Sequence, residues 1–463
     1  MKKYTTILLT LLGLSVFTAC EDSLDLQPTT AIDAGEAVVD YTTLSRAALG
    51  AYSALQSSNY YGQRYLLYQD LYSDNLSFSG TFTTDREVAN RNIDASNLQI
   101  SSTWAAIYTL INRANTVIRQ ADQLDNITTQ QRDNIKGQML VLRGLAYFDL
   151  VKVFGGVPVI QTPTTVIEEI QFEAKSTQAQ VYDAIISDLK MAESILPSNV
   201  GSPQVANIWA AKALLARVYL QRGSNAEAAT YASDVIMNSP YELEANFADI
   251  FSNEGNSEVI LEVDFTLNDQ NVLGSASDPS TPGQKFYVST EAYNALQASD
   301  ANAQNASTPT MQYEDERFEA TTTLQGTRRR LIKYSDIVNN ADDVPVIRLA
   351  EMYLIRAEAN ARQGIAVGAA SPQVIQDINT IRTRAGLNPV LTLTNAAALN
   401  EILEQRRLEF IGEGLRFIDL KRYNITCLEL EFCEDDNTAY RNLWPIPLQQ
   451  IEVNPALTQN PGY

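Results

Sequence analysis

The stretch from Leu215 to Pro240, LARVYLQRGSNAEAATYASDVIMNSP, decides the fold. Leu215-Ala216 with Tyr219, followed by Ala228, Ala232 and Pro240, fits the spacing of a tetratricopeptide hairpin. Small residues at 216, 228 and 232 let two antiparallel helices approach closely. Gly144 and Tyr147 repeat the small-x-x-Tyr element in an earlier helix. Apolar residues at Trp104, Ile107, Tyr108, Ile111, Val117, Ile118 and Leu124 follow a 3.6-residue period and predict a helix over 102–124. Another is predicted from Gln130 to Phe154, stopped by Gly155-Gly156 and Pro158. Further helices are expected at about 177–196, 203–222, 225–238, 346–363, 372–385 and 395–413. The expected fold class is mostly α: a tetratricopeptide-like helical-repeat scaffold of about four hairpins, with irregular loop-rich insertions and a few short strands. One insertion spans 241–345, rich in Asn, Ser, Thr, Gly and Asp, with a strand-like Val259–Val263; another loop-rich stretch runs from Ser73 to Ser101. Long loops in a compact protein are usually functional or disordered.

The chain has 463 residues, 45% of them hydrophobic, and can bury a sizeable core. It begins with Lys2-Lys3, an apolar run Ile7–Ala19, and Cys20, the pattern of a secretory signal. The run is too short to cross a bilayer comfortably. Phe17-Thr18-Ala19-Cys20 reads as a lipobox, so residues 1–19 are expected to be removed and Cys20 lipidated; a plain secretory signal is the alternative. Net charge is −21, and without Lys2 and Lys3 the 34 basic residues fall to 32 against 55 acidic ones, or −23. Such a charge argues against nucleic acid and against electrostatic docking on anionic lipid, leaving a lipid anchor as the membrane link. There is no histidine, which removes the usual general base, the commonest metal ligand and a Ser-His-Asp triad. No cofactor or metal site is implied. Cys427 and Cys433, five residues between them, permit a local disulfide in an oxidising compartment; two free buried thiols are the other reading.

Tyr61, Tyr65, Tyr68 and Tyr72 share one helical face, read mainly as a core stripe and secondarily as a stacking platform for sugar rings. Asp74 and Asn75, just beyond the stripe where a loop begins, are better ligand candidates. Trp104 opens a helix after that loop and either stacks on a sugar or plugs the core. In the second insertion Phe286, Tyr287, Tyr293, Tyr313 and Tyr334 are candidates to face a ligand. Arg328-Arg329-Arg330 reads as a strand with solvated alternate side chains. The run Glu404, Arg406, Arg407, Glu409, Glu413, Arg416, Asp419, Arg422 reads as structural ion pairs along a helix rather than a catalytic carboxylate pair.

Several blocks, in order along nearly the whole chain, resemble the SusD/RagB family of outer-membrane nutrient-binding lipoproteins. They are Leu142-Arg143-Gly144-Leu145-Ala146-Tyr147-Phe148, running to Gly155-Gly156-Val157-Pro158, then Arg348–Ala359 and Asn379-Thr380-Ile381-Arg382. After these come Glu404–Phe410, Glu413-Gly414-Leu415-Arg416, Leu443-Trp444-Pro445-Ile446-Pro447 and Gln459-Asn460-Pro461-Gly462-Tyr463. The resemblance implies one SusD-like unit over 20–463: tetratricopeptide-like hairpins over about 20–240, the insertion 241–345, and a C-terminal part over about 346–463. It implies a surface-exposed outer-membrane lipoprotein, not an enzyme, that captures oligosaccharides and delivers them to a SusC-like TonB-dependent transporter. Asp74 and Trp104 stand where glycan-binding members contact ligand, and Pro445-Ile446-Pro447 and the terminal pentapeptide are implied to fix extended segments against the helices. Peptide cargo, a surface glycoside hydrolase and a purely structural adaptor are the competing readings.

Overall fold

A computed structural model describes residues 37–199, 201–252, 255–282 and 285–463. The expected signal over 1–19 and Cys20 lie outside the described residues. The elements that matter are α1 (Tyr41–Leu55), α2 (Arg64–Tyr72), β1 (Leu76–Phe78), α3 (Thr83–Ala89), α4 (Leu98–Gln123), α5 (Thr129–Phe154), α6 (Gln178–Ile195), α7 (Ile208–Arg222) and α8 (Asn225–Asn238). They continue with β2 (Val259–Val263), β3 (Phe286–Val288), α9 (Thr290–Ala306), α10 (Glu316–Thr321), β4 (Thr322–Gln325), β5 (Arg328–Leu331), β6 (Val344–Arg348), α11 (Leu349–Gln363) and α12 (Pro372–Arg384). The chain closes with α13 (Asn395–Phe410), α14 (Arg416–Tyr423), α15 (Thr426–Leu430) and α16 (Leu448–Val453).

Helices α4, α5, α6, α7, α8, α11 and α12 stack one on the next, as in a tetratricopeptide array. Local chemistry sets their ends. Thr128 and Thr177 open α5 and α6 with capping boxes completed by Gln131 and Gln180. Asn207 caps α7, so that helix starts at Ile208 and not at 203. Helix α5 is buried on every side from Gly137 to Phe154, because α1, α4, α6 and α7 surround it. Gly144 permits this: a Cβ there would stand 3.0 Å from Leu189 of α6.

Helix α8 packs directly on α11, so the interval 241–345 is an excursion between two neighbouring repeat helices. Its ends are tied together by β2, which pairs antiparallel with β6. The excursion is less irregular than its composition suggests. It contains the 17-residue α9, capped by Ser289, whose buried face is only Ala292, Leu296 and Ala303. So weak an apolar stripe, diluted by Asn, Ser and Asp, hides the helical period in the sequence. The excursion also returns to the N-terminal region, since β3 pairs antiparallel with β1, Ser77 opposite Tyr287.

The C-terminal tail is extended and clamps the end of α5. Trp444 donates its N–H to the Val153 carbonyl at 2.6 Å, and Asn460 Nδ2 donates to the carbonyls of Phe154 and Trp444 at 2.9 and 2.8 Å. Cys427 and Cys433 are joined, with Cα atoms 4.8 Å apart, closing the turn after α15.

Candidate functional site

A cleft of about 450 Å³ opens where α2 gives way to β1, bounded by the ends of α3 and α15 and the start of α9. Ser73, Asp74, Ser77 and Phe78 form one side, Asn90 and Arg91 another, and Ser289, Glu291, Glu429 and Glu431 the rest. Ser77, Asn90, Glu291, Glu429 and Glu431 are exposed, and Phe78 is half-buried against Phe286. The cleft therefore offers hydroxyl, amide and carboxylate groups around a partly open aromatic ring. Such a set hydrogen-bonds hydroxyl-rich ligands and packs on their C–H faces.

The cleft's geometry is set from behind. Asp74 receives both edges of Arg416, Nε at 2.9 Å and Nη2 at 3.1 Å, and an ion pair from Arg407 at 2.8 Å. Burial works to raise the Asp74 pKa, but the hydrogen bonds and charge of Arg416 and the charge of Arg407 outweigh it and hold the carboxyl below its usual value. It stays ionised, and cannot serve as a general acid at neutral pH. Arg91, in the left-handed region at φ 55°, donates to the carbonyls of Tyr72 and Ser73 at 2.9 and 2.6 Å and fixes the α2–β1 turn. Asp70, one layer deeper, accepts the N–H groups of Gly412 and Gly414 at 2.8 and 3.1 Å and the amide of Asn75 at 3.0 Å. Gly414 has φ 70°, a conformation that suits glycine and lets its N–H reach the carboxylate. Burial pushes the Asp70 pKa up to about 6, against the opposing pull of the bonds from Gly414, Asn75 and Gly412.

The charged run 404–422 is structural; Arg422 and Asp419 pair along α14 at 2.8 Å, but most of its pairs join different elements. Arg348 of β6 meets Glu258, Glu409 and Glu413 at 2.8, 2.6 and 2.9 Å. Arg384 of α12 reaches Glu258 at 2.7 Å and also touches Glu409. Arg406 pairs with Asp419 at 2.7 Å, and Arg422 with Glu358 at 2.7 Å. The partners come from different elements and are almost all buried.

Of the sequence-derived candidates, Asp74 lines the cleft and Asn75 stands just behind it. Tyr287 lies behind Ser77 in the β1–β3 ladder, with Arg328 over its ring at 5.2 Å. Trp104 and Tyr334 do not reach the cleft. Trp104 is in phase with Ile100, Ile107 and Ile111 on the buried face of α4, with its ring 4.9 Å from those of Phe154 and Tyr108. Tyr334 is 1% exposed, its hydroxyl donating to the Gly412 carbonyl at 3.2 Å. The tyrosine stripe is core, although Tyr61 sits in the turn before α2 and not on its face: Tyr61 donates to the Asp149 carboxylate of α5 at 2.9 Å, Tyr65 to the Asp149 carbonyl at 3.2 Å, Tyr72 to the Arg441 carbonyl at 2.8 Å, and Tyr68 bonds Asp85. Phe78, Arg91, Glu291, Glu429 and Glu431 were not legible as site residues, since they come from four separate segments and only the β1–β3 pairing and the α15 turn assemble them. Among the described residues no group of three or more Asp, Glu or Cys side chains is arranged to hold a metal ion.

A helical-repeat frame carrying a polar cleft on its irregular excursions defines a class of binding protein. The chain belongs to the SusD family: the family model described as "SusD family" matches residues 198–463, and one described as "Starch-binding associating with outer membrane" matches 21–220. SusD-like protein P25 of Formosa agariphila is 26% identical, with all of both chains covered. Among solved structures, a SusD superfamily protein from Bacteroides thetaiotaomicron superposes with a TM-score of 0.79 at 24% identity, over 91% of this chain and 100% of that one. A laminarin-binding SusD-like protein superposes at 0.77 and 23% identity, over 92% of this chain and 100% of that one.

Proposed function

We propose that this protein is a non-catalytic, cell-surface glycan receptor, held to the outer membrane by acylated Cys20, that passes oligosaccharides to a SusC-like TonB-dependent transporter. The observation that carries the reading is the open polar cleft at Asp74, where exposed hydroxyl, amide and carboxylate groups surround the half-buried Phe78. Its deepest carboxylate is locked to two arginines, which suits a rigid wall better than a proton donor. The family models, one described as starch-binding and associated with the outer membrane, support the same reading. Modest affinity is enough, because a tethered receptor beside its transporter raises the local ligand concentration.

Calorimetry of the soluble chain against an oligosaccharide panel tests this. Binding of at least one glycan without release of shorter products is expected, weakened about tenfold by the joint variant F78A/N90A, which removes a ring face and one amide contact. Binding confined to peptides would change the cargo, and product release would overturn the receptor reading.

A further inference from the structure

The β4–β5 hairpin stands beside the cleft. Register places Gln325 opposite Arg328 and Thr323 opposite Arg330, so strand alternation puts all four on one face and Arg329 with Leu324 on the other. The arginines are not simply solvated. Arg328 lies over the Tyr287 ring and Arg329 over the Tyr293 ring, each 5.2 Å from the centroid. A guanidinium held over an aromatic face by cation–π attraction still has N–H groups to donate to oxygen.

Many arginines of this protein have carboxylate partners, Arg317, Arg348, Arg384 and Arg422 among them. Arg328, Arg329 and Arg330 make no ion pair among the described residues, in a chain of net charge −21. Asp278, whose carboxyl feels the charge of Arg330, is engaged by the N–H and hydroxyl of Ser280, both at 2.8 Å. Arg330 Nε is buried without a hydrogen-bond partner. The root of the hairpin is pinned, Leu331 N–H donating to Ser277 Oγ at 2.7 Å, while residues 323–328 are exposed. The hairpin also adjoins the cleft, since Tyr287 beneath Arg328 is the ladder partner of Ser77, which lines it.

We infer that the β4–β5 hairpin is an anion-reading subsite and that the glycan bound here carries carboxylate or sulfate groups, an assignment that rests on the cleft being a glycan site. Arg328 and Arg330 present two cationic forks about 7 Å apart on one strand face, and Gln325 and Thr323, opposite them on β4, bond hydroxyls. The carboxylates Glu291, Glu429 and Glu431 at the cleft repel the same substituents, so the ligand's charge is directed to the hairpin end.

The test uses the soluble chain and three size-matched probes: laminarin oligosaccharides (neutral), oligogalacturonides (carboxylated) and carrageenan oligosaccharides (sulfated). Calorimetry at low and moderate salt is expected to show one of the anionic probes binding more tightly than the neutral one, with affinity falling as salt rises. R328A/R330A is expected to weaken that binding about tenfold or more, with R328K/R330K recovering part of it and thermal unfolding unchanged. Which anionic probe responds assigns carboxylate or sulfate. Equal affinity of wild type and R328A/R330A for every anionic probe overturns the inference, as does binding of the neutral probe alone, and both leave the glycan-receptor reading standing. Binding of no glycan, with peptides bound instead, overturns both.

Discussion

The protein holds charge in two contrasting ways. Beneath α11 and α13, Arg348, Arg384, Glu258, Glu409 and Glu413 form a buried lattice in which cations and carboxylates answer each other. At the cleft rim and on the β4–β5 hairpin, Glu291, Glu431, Arg328 and Arg330 have no ion-pair partner among the described residues. Buried pairs contribute little net stability over an apolar core, but breaking one leaves a desolvated charge behind. The lattice therefore sets relative positions of elements far apart in sequence, and the open groups remain available to a ligand. Asp74 joins the two regimes: its carboxylate is buried and held by Arg407 and Arg416, and the residue lines the cleft.

The largest break in this contrast is expected from Arg348→Ala, which takes a shared cation from three buried carboxylates and leaves them to Arg384 and Lys333. About 3–5 kcal/mol of stability should be lost, read by urea unfolding, and glycan affinity of the remaining folded fraction should be preserved. Trp104→Ala opens a cavity between α4 and α5 and should cost about 3–5 kcal/mol, again with unchanged affinity; a specific loss of binding would return Trp104 to the site.

Acid sharpens the contrast inside the core itself. Glu358, burial notwithstanding, is held down to about 2 by Arg422, with Arg362 and Arg406 behind it. A depressed carboxylate stabilises the fold above its unfolded value of 4.5 and loses that stabilisation as pH falls towards 2. Asp70, raised to about 6, has the opposite sign: its contribution is complete below 3.8 and is lost as pH rises through 6. Glu358→Gln should flatten the acid limb of a stability–pH curve below pH 4.5, and Asp70→Asn should flatten the region between about 4 and 6. The smallest effect is expected at the exposed pair Lys136–Asp122, 2.8 Å apart, where Lys136→Ala should change stability by less than about 0.5 kcal/mol.

Legibility followed the range of the interactions. Helix α8 is legible to the residue at 225–238, and β2 at 259–263, because their patterns are local. Helix α9 is hidden because its buried stripe is only two alanines and a leucine. The charges at 404–422 are legible as paired, but their partners include Arg348 and Glu358, some 60 residues away, which helical spacing does not reveal. Asp74 stands out because it follows the tyrosine stripe, whereas Trp104 is ambiguous because a buried tryptophan and a ligand-stacking one look alike in sequence.

Sequence alone determined the helical-repeat frame, the helix stops, the absence of histidine chemistry and the family to which the chain belongs. These follow from periodicity, composition and ordered motifs, all written along the chain. Tertiary structure decided which polar groups face water and which face each other. That choice depends on contacts between segments tens to hundreds of residues apart, so it exists only once α2, α9 and α15 have been packed together around the cleft.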